Sequence, residues 1–310
     1  MQRYVIRRIL LLIPILFGII FLVFFILSFL PGEAARMIMG VEATPAMIEM
    51  FNAEFGLDQP FFIRFGQYIS GIFTRFDFGI SFRSRQPVIT EILNRFPHTL
   101  KIAVFSVISV TILGVPLGIL AAIRRSTLVD ASITVYAMFL AAIPGFWFGL
   151  IMIYFFALVL GWLPVFGTES WRHFVLPVIT LSLPGSSWFI RQTRVLMLET
   201  VHQEYTRTAR AKGAPEYRVI WKHALKNAVL PLINSMGLMF SSLLGGTIII
   251  ETIFSINGVG LFMLTAVRNR DVPVVMCGTI IMAAFFCLIV LIIDLLYAFI
   301  DPRIRAKFSS

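Results

Sequence analysis

Residues 204–231 read EYTRTARAKGAPEYRVIWKHALKNAVLP. This stretch decides the fold, because it is charged and polar while the sequence on either side is apolar. Counted from Arg191 to Lys226, the segment holds eight of the 26 lysines and arginines in the chain. Gly213, followed by Ala-Pro-Glu, predicts a turn between two short helices. Beyond it, a helix starting near Pro215 or Glu216 places Tyr217, Ile220, Trp221, Ala224 and Ala228 on one face and Arg218, Lys222 and Lys226 on another. A greasy face opposite a cationic one suits the membrane surface, where the cations meet anionic headgroups. Glu204–Lys212 is different: it is polar nearly all round, with Tyr205 and Ala209 as its only aligned apolar pair. Such a helix gains little from lipid and is expected to dock on protein.

The sequence around this loop is written for a bilayer. With 58% apolar and 14% charged residues among 310 and a strongly positive mean hydropathy, the chain has more apolar surface than one aqueous core could hide. Six uncharged stretches are long enough, or nearly so, to cross roughly 30 Å of hydrocarbon: Ile9–Leu30, Ile102–Ile123, Ala131–Thr168, Phe174–Ile190, Ala228–Ile250 and Val272–Ile293. The third must contain a loop around Gly161–Thr168, and the fourth is the shortest. The reading is an all-α membrane protein of six transmembrane helices.

Cation placement predicts orientation. With the N-terminus inside, Arg3, Arg7 and Arg8, then Arg124 and Arg125, the eight from Arg191 to Lys226, and Arg303, Arg305 and Lys307 all lie on the cytoplasmic side. They are accompanied there by Asp130, Glu199, Glu204, Glu216 and Asp301 alone, whereas the other side is balanced at ten basic and ten acidic residues. That is the positive-inside asymmetry, with both termini cytoplasmic. The cations sit at membrane edges rather than on one soluble face, which argues against nucleic-acid binding. The first apolar run is too long for a secretory signal and lacks a small-x-small cleavage site, so it reads as a retained helix. Cys277 and Cys287 lie on one helix about 15 Å apart along its axis, too far to pair.

The chain divides into residues 1–30 (N-terminal segment and first helix), 31–97 (an extracytoplasmic insertion) and 98–310 (a core of five helices containing the polar loop, about 199–228). In the insertion, Thr44-Pro45 reads as N-cap and first helical position, Met47, Ile48, Phe51 and Phe55 form an apolar stripe, and Gly56 ends the helix. Phe61–Phe73 reads as a second amphipathic helix and Phe76–Gln86 as irregular. Pro14, Pro116, Pro144, Pro177, Pro184 and Pro231 fall inside spans, where each frees a backbone carbonyl and bends its helix unless neighbours compensate. Gly114 with Gly118, and Gly145 with Gly149, permit close helix contact.

Chemistry of its own is missing. The chain has no phosphate-binding G-x-x-x-x-G-K-[ST], no G-x-S-x-G, no H-E-x-x-H and no Cys-x-x-Cys. Glu199 and His202 make one E-x-x-H, but a carboxylate-bridged metal site needs a second copy and further acids; His98, His173 and His223 are isolated. A proton- or sodium-driven carrier places ionisable residues inside its spans; Asp294 alone qualifies, and it stands at a helix end within reach of Arg303 or Arg305. By elimination the power source is another polypeptide. A membrane-embedded enzyme would need an intramembrane catalytic pair, and a passive channel would have no use for the cytoplasmic loop.

The loop resembles the variant found in the dipeptide/oligopeptide/nickel group of ABC-importer permeases, in which E-Y-x-R-T-A-R-A-K-G is followed by H-A-L-x-N-A and a proline. Those residues are Glu204, Tyr205, Arg207, Thr208, Ala209, Arg210, Ala211, Lys212 and Gly213, then His223, Ala224, Leu225, Asn227, Ala228 and Pro231. Similar stretches recur along almost the full chain: Phe55–Pro60, Pro97-His-Thr-Leu100, Glu251-Thr-Ile-Phe-Ser with Gly258-Val-Gly260, Arg270–Pro273, and Asp294–Tyr297 with Asp301-Pro-Arg303. Departures are local, such as Arg207-Thr208-Ala209 where the general motif begins Glu-Ala-Ala.

The resemblance implies a type I ABC importer permease fold and a transport subunit with no ATPase site or bound cofactor of its own. It implies as partners a second, homologous permease in a heterodimer, two ATP-binding subunits that use the ATP, and an extracytoplasmic solute-binding protein, assembled in a bacterial or archaeal cytoplasmic membrane. Coupling to the ATPases would fall to Glu204, Tyr205, Arg207, Ala209, Arg210, Lys212, Gly213, His223 and Asn227. Glu251, Phe254, Gly258 and Gly260 would serve the outer gate or receive the binding protein, or simply form a re-entrant turn. The solute would be a di- or oligopeptide, with nickel, glutathione or an oligosaccharide as alternatives in the same group.

Overall fold

A computed structural model describes residues 2–29, 34–40 and 43–300. The helices run in the order α1 (Gln2–Ser28), α2 (Ala34–Met39), α3 (Pro45–Glu54), α4 (Phe61–Arg75), α5 (Val88–Ile123), α6 (Leu128–Ala142) and α7 (Gly145–Met152). A π-helical stretch, Ile153–Val159, continues α7; then come α8 (Arg172–Val201), α9 (Glu204–Ala211), α10 (Glu216–Arg218), a second π-helical stretch at Val219–Ala224, α11 (Leu225–Ile253), α12 (Val259–Arg268) and α13 (Val272–Ile300). Among the described residues the one departure towards β-structure is an isolated bridge between Ile80 and Pro87.

Five helices are long and apolar enough to cross a membrane, and the pair Leu128–Ala142 and Gly145–Val159, bent by 91°, is a sixth candidate as one broken span. The sequence called for one third span with a loop near its end; instead the span breaks at its middle. Ile143 precedes a proline and is forced extended (φ −79°, ψ 120°), and Pro144 offers no N–H to continue the helix. Pro14, Pro177, Pro184 and Pro231 are carried within continuous helices.

The described residues form two compact units: those up to Pro97 with Gly258–Leu291, and His98–Asn257 with Ile292–Ile300. The segment 258–291 thus packs with the N-terminal unit.

In the first unit, Ile20 and Phe24 of α1, Ile72 of α4, Val88 and Ile92 at the start of α5 and Val274–Cys277 of α13 share one apolar core. The insertion folds largely as the sequence predicts. Thr44 caps α3, its Oγ1 accepting from Met47 N at 3.4 Å, and Gly56 follows the helix at φ +62°. Ile48 and Phe51 are buried, but Met47 is exposed. The stretch Phe76–Gln86 is irregular yet fastened: the buried Asp271 accepts from Ser81 Oγ (2.5 Å), Phe82 N (3.0 Å) and Arg83 N (3.4 Å).

The second unit is built around α8, which packs most extensively on α11 and α6. Apolar faces gain nothing from pairing when lipid is the alternative, so close approach and hydrogen bonding hold membrane helices together. A Cβ on Gly114 would lie 2.8 Å from Phe189 Cδ1, and one on Gly118 would lie 2.5 Å from Thr193 Cβ and 2.7 Å from the Ile190 carbonyl. Gly149 meets Thr180 Cγ2 at 3.2 Å, whereas Gly145 has open space and plays no packing role. Arg194 on α8 clamps Asp130 on α6 with two hydrogen bonds of 2.7 Å. Cys277 and Cys287 are free and buried. The expected partners of Asp294, Arg303 and Arg305, lie outside the described residues.

Candidate coupling site

The last carbonyls of any α-helix lack partners within it, and the end of α8 shows how this chain meets that need. Thr206 Oγ1 lies 2.8 Å from the Val201 carbonyl and 2.6 Å from that of Gln203. Arg210 Nη1 donates to the same Val201 carbonyl at 3.3 Å. Two side chains of α9 are therefore fastened to the final turn of α8. Thr206 is fully buried and Ala209 nearly so, which makes these the docked face of α9. The docked face falls one residue from the Tyr205/Ala209 stripe that periodicity predicts, because the Thr206 hydroxyl has a carbonyl to satisfy.

The turn after α9 closes on a left-handed glycine. Gly213 has φ +75°, its N–H reaches Arg210 O at 2.9 Å, and Ala214 N reaches Ala209 O at 3.1 Å, the bond pattern of a Schellman C-cap. A guanidinium spans this turn: Arg210 Nη2 and Nε donate to Glu216 Oε1 at 2.7 Å and Oε2 at 3.1 Å. Each charge favours the other, so the Glu216 carboxyl is held below the usual carboxylate range and the Arg210 guanidinium is raised. Partial burial pushes the Tyr205 phenol up, with the Asn227 side chain opposing, and Asn227 Nδ2 donates to the His223 carbonyl at 2.7 Å.

The opposite face of α9 is open. Glu204, Arg207, Thr208, Ala211 and Lys212 are all exposed, at the three- and four-residue spacing of a single helical face. The coupling residues named from sequence thus divide. Arg210, Ala209 and Gly213 hold the element in place, Asn227 bonds the backbone of His223 within the next helix, and Glu204, Tyr205, Arg207 and Lys212 are exposed. Sequence reasoning missed Thr206, Glu216 and the Val201 carbonyl. Glu216 could have been found as the acid facing Arg210 across a Gly-Ala-Pro turn.

Beyond the turn, the apolar face predicted by α-helical spacing is divided. Ile220, Ala224 and Ala228 are buried and Val219 joins them, while Tyr217 and Trp221 are exposed at 62% and 57%. The π-helical stretch takes an extra residue into the turn, which brings Val219 into the buried stripe.

The second group of residues is buried within the chain. Glu251 and Phe254 are 0% and 1% exposed; Glu251 accepts from Thr99 Oγ1 at 2.6 Å within the second unit. Gly258 and Gly260 fall in the first unit, at the N-cap and first turn of α12. The turn between them is made by Ser255 at φ +49°, not by the glycines.

Residues 114–306 match the family described as "Binding-protein-dependent transport system inner membrane component", and residues 1–103 match its N-terminal companion. The chain belongs to this family.

The permease is 41% identical over 307 residues to the glutathione transport system permease protein GsiC of Escherichia coli strain K12, covering 99% of this chain and 100% of that one. GsiC of Shigella flexneri serotype 5b (strain 8401) matches to the same extent. A structure described as "Inward facing conformations of the MetNI methionine ABC transporter" superposes with a TM-score of 0.60 at 16% identity, covering 69% of this chain and 98% of that chain; it establishes the fold. The permease is accordingly a multi-pass inner-membrane transport subunit of an ABC importer of the peptide/nickel group, and ATPase activity resides in partner subunits.

Proposed function

We propose that this permease forms half of the translocation path for a short peptide, glutathione or a di- or oligopeptide, and takes its power stroke at α9. The observation that carries the solute is the full-length 41% identity to a glutathione permease, glutathione being itself a tripeptide. In this reading a second, homologous permease completes the path as a heterodimer, and two ATP-binding subunits dock on the open face of α9. An extracytoplasmic binding protein delivers the solute. The loop cations and the basic ends of the chain face the cytoplasm, as the positive-inside rule requires, so both termini are cytoplasmic.

The stroke has a structural route. A force on Glu204, Arg207 and Lys212 reaches α8 through the two bonds on the Val201 carbonyl, and α8 packs on α6 and α11. The far end of α11 is where Glu251 and Phe254 are buried, and their release is the gating event. Reconstitution of the complete importer in liposomes tests this. ATP-dependent accumulation of glutathione or Ala-Phe is the expected result; ATP-dependent accumulation of nickel or an oligosaccharide instead would contradict the solute, and uptake without ATP would contradict the importer.

A further inference from the structure

The second unit contains a half-open cavity of about 600 Å³ between α5, the 161–171 loop and α8. Its size lies within the range of small-ligand sites, which are mostly apolar with a few placed polar groups. It is lined by Phe174, which is buried, by Phe105 and Val178, and by Lys101, Glu169 and Trp171, which are exposed. Phe174 belongs to the core of the unit and is stacked on His98, so this ring is fixed. The Lys101 ammonium stands 5.4 Å from the Phe174 ring centroid, which draws the cation over the cavity.

Glu169 is set in place from three directions. Its Oε2 accepts from Thr168 N at 3.0 Å, lies 3.1 Å from His173 Nε2, and occupies space that a Cβ on Gly167 would fill. Gly167 has φ +108°, a conformation that a side chain would also disfavour. The two opposite charges share one cavity without forming an ion pair with each other within 4.0 Å. A guest with one charge of either sign would meet one attraction and one repulsion, whereas a guest with both signs satisfies the pair.

We propose that this cavity is a solute subsite for a zwitterionic short peptide, with the terminal carboxylate on Lys101, the α-ammonium on Glu169 and an apolar side chain over Phe174. The assignment rests on the import of short peptides proposed above. Under that orientation the cavity is at the outer end of the span, where a solute handed over by a binding protein arrives. A zwitterionic lipid headgroup offers the same two charges, so the test separates the two sources.

The assembled importer is placed in phosphatidylcholine nanodiscs and photolabelled with alanyl-benzoylphenylalanine. The expected label falls within 101–109 and 168–179 and is competed by Ala-Phe. Lys101→Gln should lower labelling by tenfold or more for the free acid and leave the C-terminal amide unaffected; Glu169→Gln should do the same for the free amine and spare the N-acetyl peptide. Both positions are exposed, so the variants should fold. Label elsewhere, or equal losses for free and capped peptides, overturns the subsite, as does displacement of the label by phosphatidylethanolamine. ATP-driven uptake of Ala-Phe with an unchanged KM in both variants overturns it too, yet leaves the peptide-importer reading standing. Absence of any ATP-driven peptide or glutathione uptake removes both.

Discussion

Replacing Arg210 with alanine removes the three hydrogen bonds that tie the turn after α9 to Glu216 and to the end of α8. The Arg210 and Glu216 side chains are 37% and 58% exposed, so water screens their attraction, and exposed pairs contribute about 0.2–1 kcal/mol. The bidentate fork puts this pair near the upper end of that range. About 1 kcal/mol changes a local open–closed equilibrium roughly fivefold. Amide hydrogen exchange over residues 204–214 of the assembled importer should therefore quicken about fivefold in Arg210→Ala and in Glu216→Gln. The double variant should match Arg210→Ala, because that change already removes the Glu216 contact together with the bond to the Val201 carbonyl.

The pair also has a defined pH window. Its carboxyl is held below the ordinary value, so the stabilisation is complete above the free carboxyl range and is lost as pH falls through the lower folded value. Corrected protection should be level from about pH 5.5 to 8 and decline only below about pH 4. ATP hydrolysed per solute imported should rise in both single variants. Unchanged exchange in the single variants, or losses that sum in the double one, would refute the clamp.

Three further perturbations bear on the fold. Gly118→Ala should cost about 1–3 kcal/mol through overpacking against Thr193 and the Ile190 carbonyl, while Gly145→Ala, with nothing within 4 Å, should be neutral; yield and thermal stability in detergent compare them. Gly213→Ala should destabilise the loop by about 1–2 kcal/mol from its left-handed φ alone, although the site has room; Gly213→Asn should lose less, read by exchange at 209–214. Asp271→Ala removes the acceptor of three hydrogen bonds, so trypsin should cut faster at Arg83 and Arg85, and equal cutting in Asp271→Ala and wild type would sink that role.

What the sequence made legible was local. Apolar runs located the spans, Thr44-Pro45 located the start of α3, and Gly213 located the turn after α9, because each signal is written within a few adjacent residues. Pro144 was visible too, but whether a proline bends a span or breaks it depends on which neighbours satisfy the freed carbonyls. The π-helical turn at Val219–Ala224 was illegible, since no residue pattern announces one, and it brings Val219 into the buried stripe with Ile220, Ala224 and Ala228. Glu251 looked like a surface acid because its partner Thr99 is 152 residues away. Thr206 reads as one polar residue on a polar helix, although with Arg210 it fastens α9 to α8.

The central claim is that the open face of α9 meets an ATP-binding subunit. A single cysteine at position 207 (Arg207→Cys), in a chain with Cys277 and Cys287 replaced by alanine, tests it directly in the assembled importer. The account predicts a crosslink to the ATP-binding subunit whose yield differs between ATP and ADP. A cysteine that stays fully open to a water-soluble maleimide in the complex, with no crosslink in either nucleotide, would contradict it.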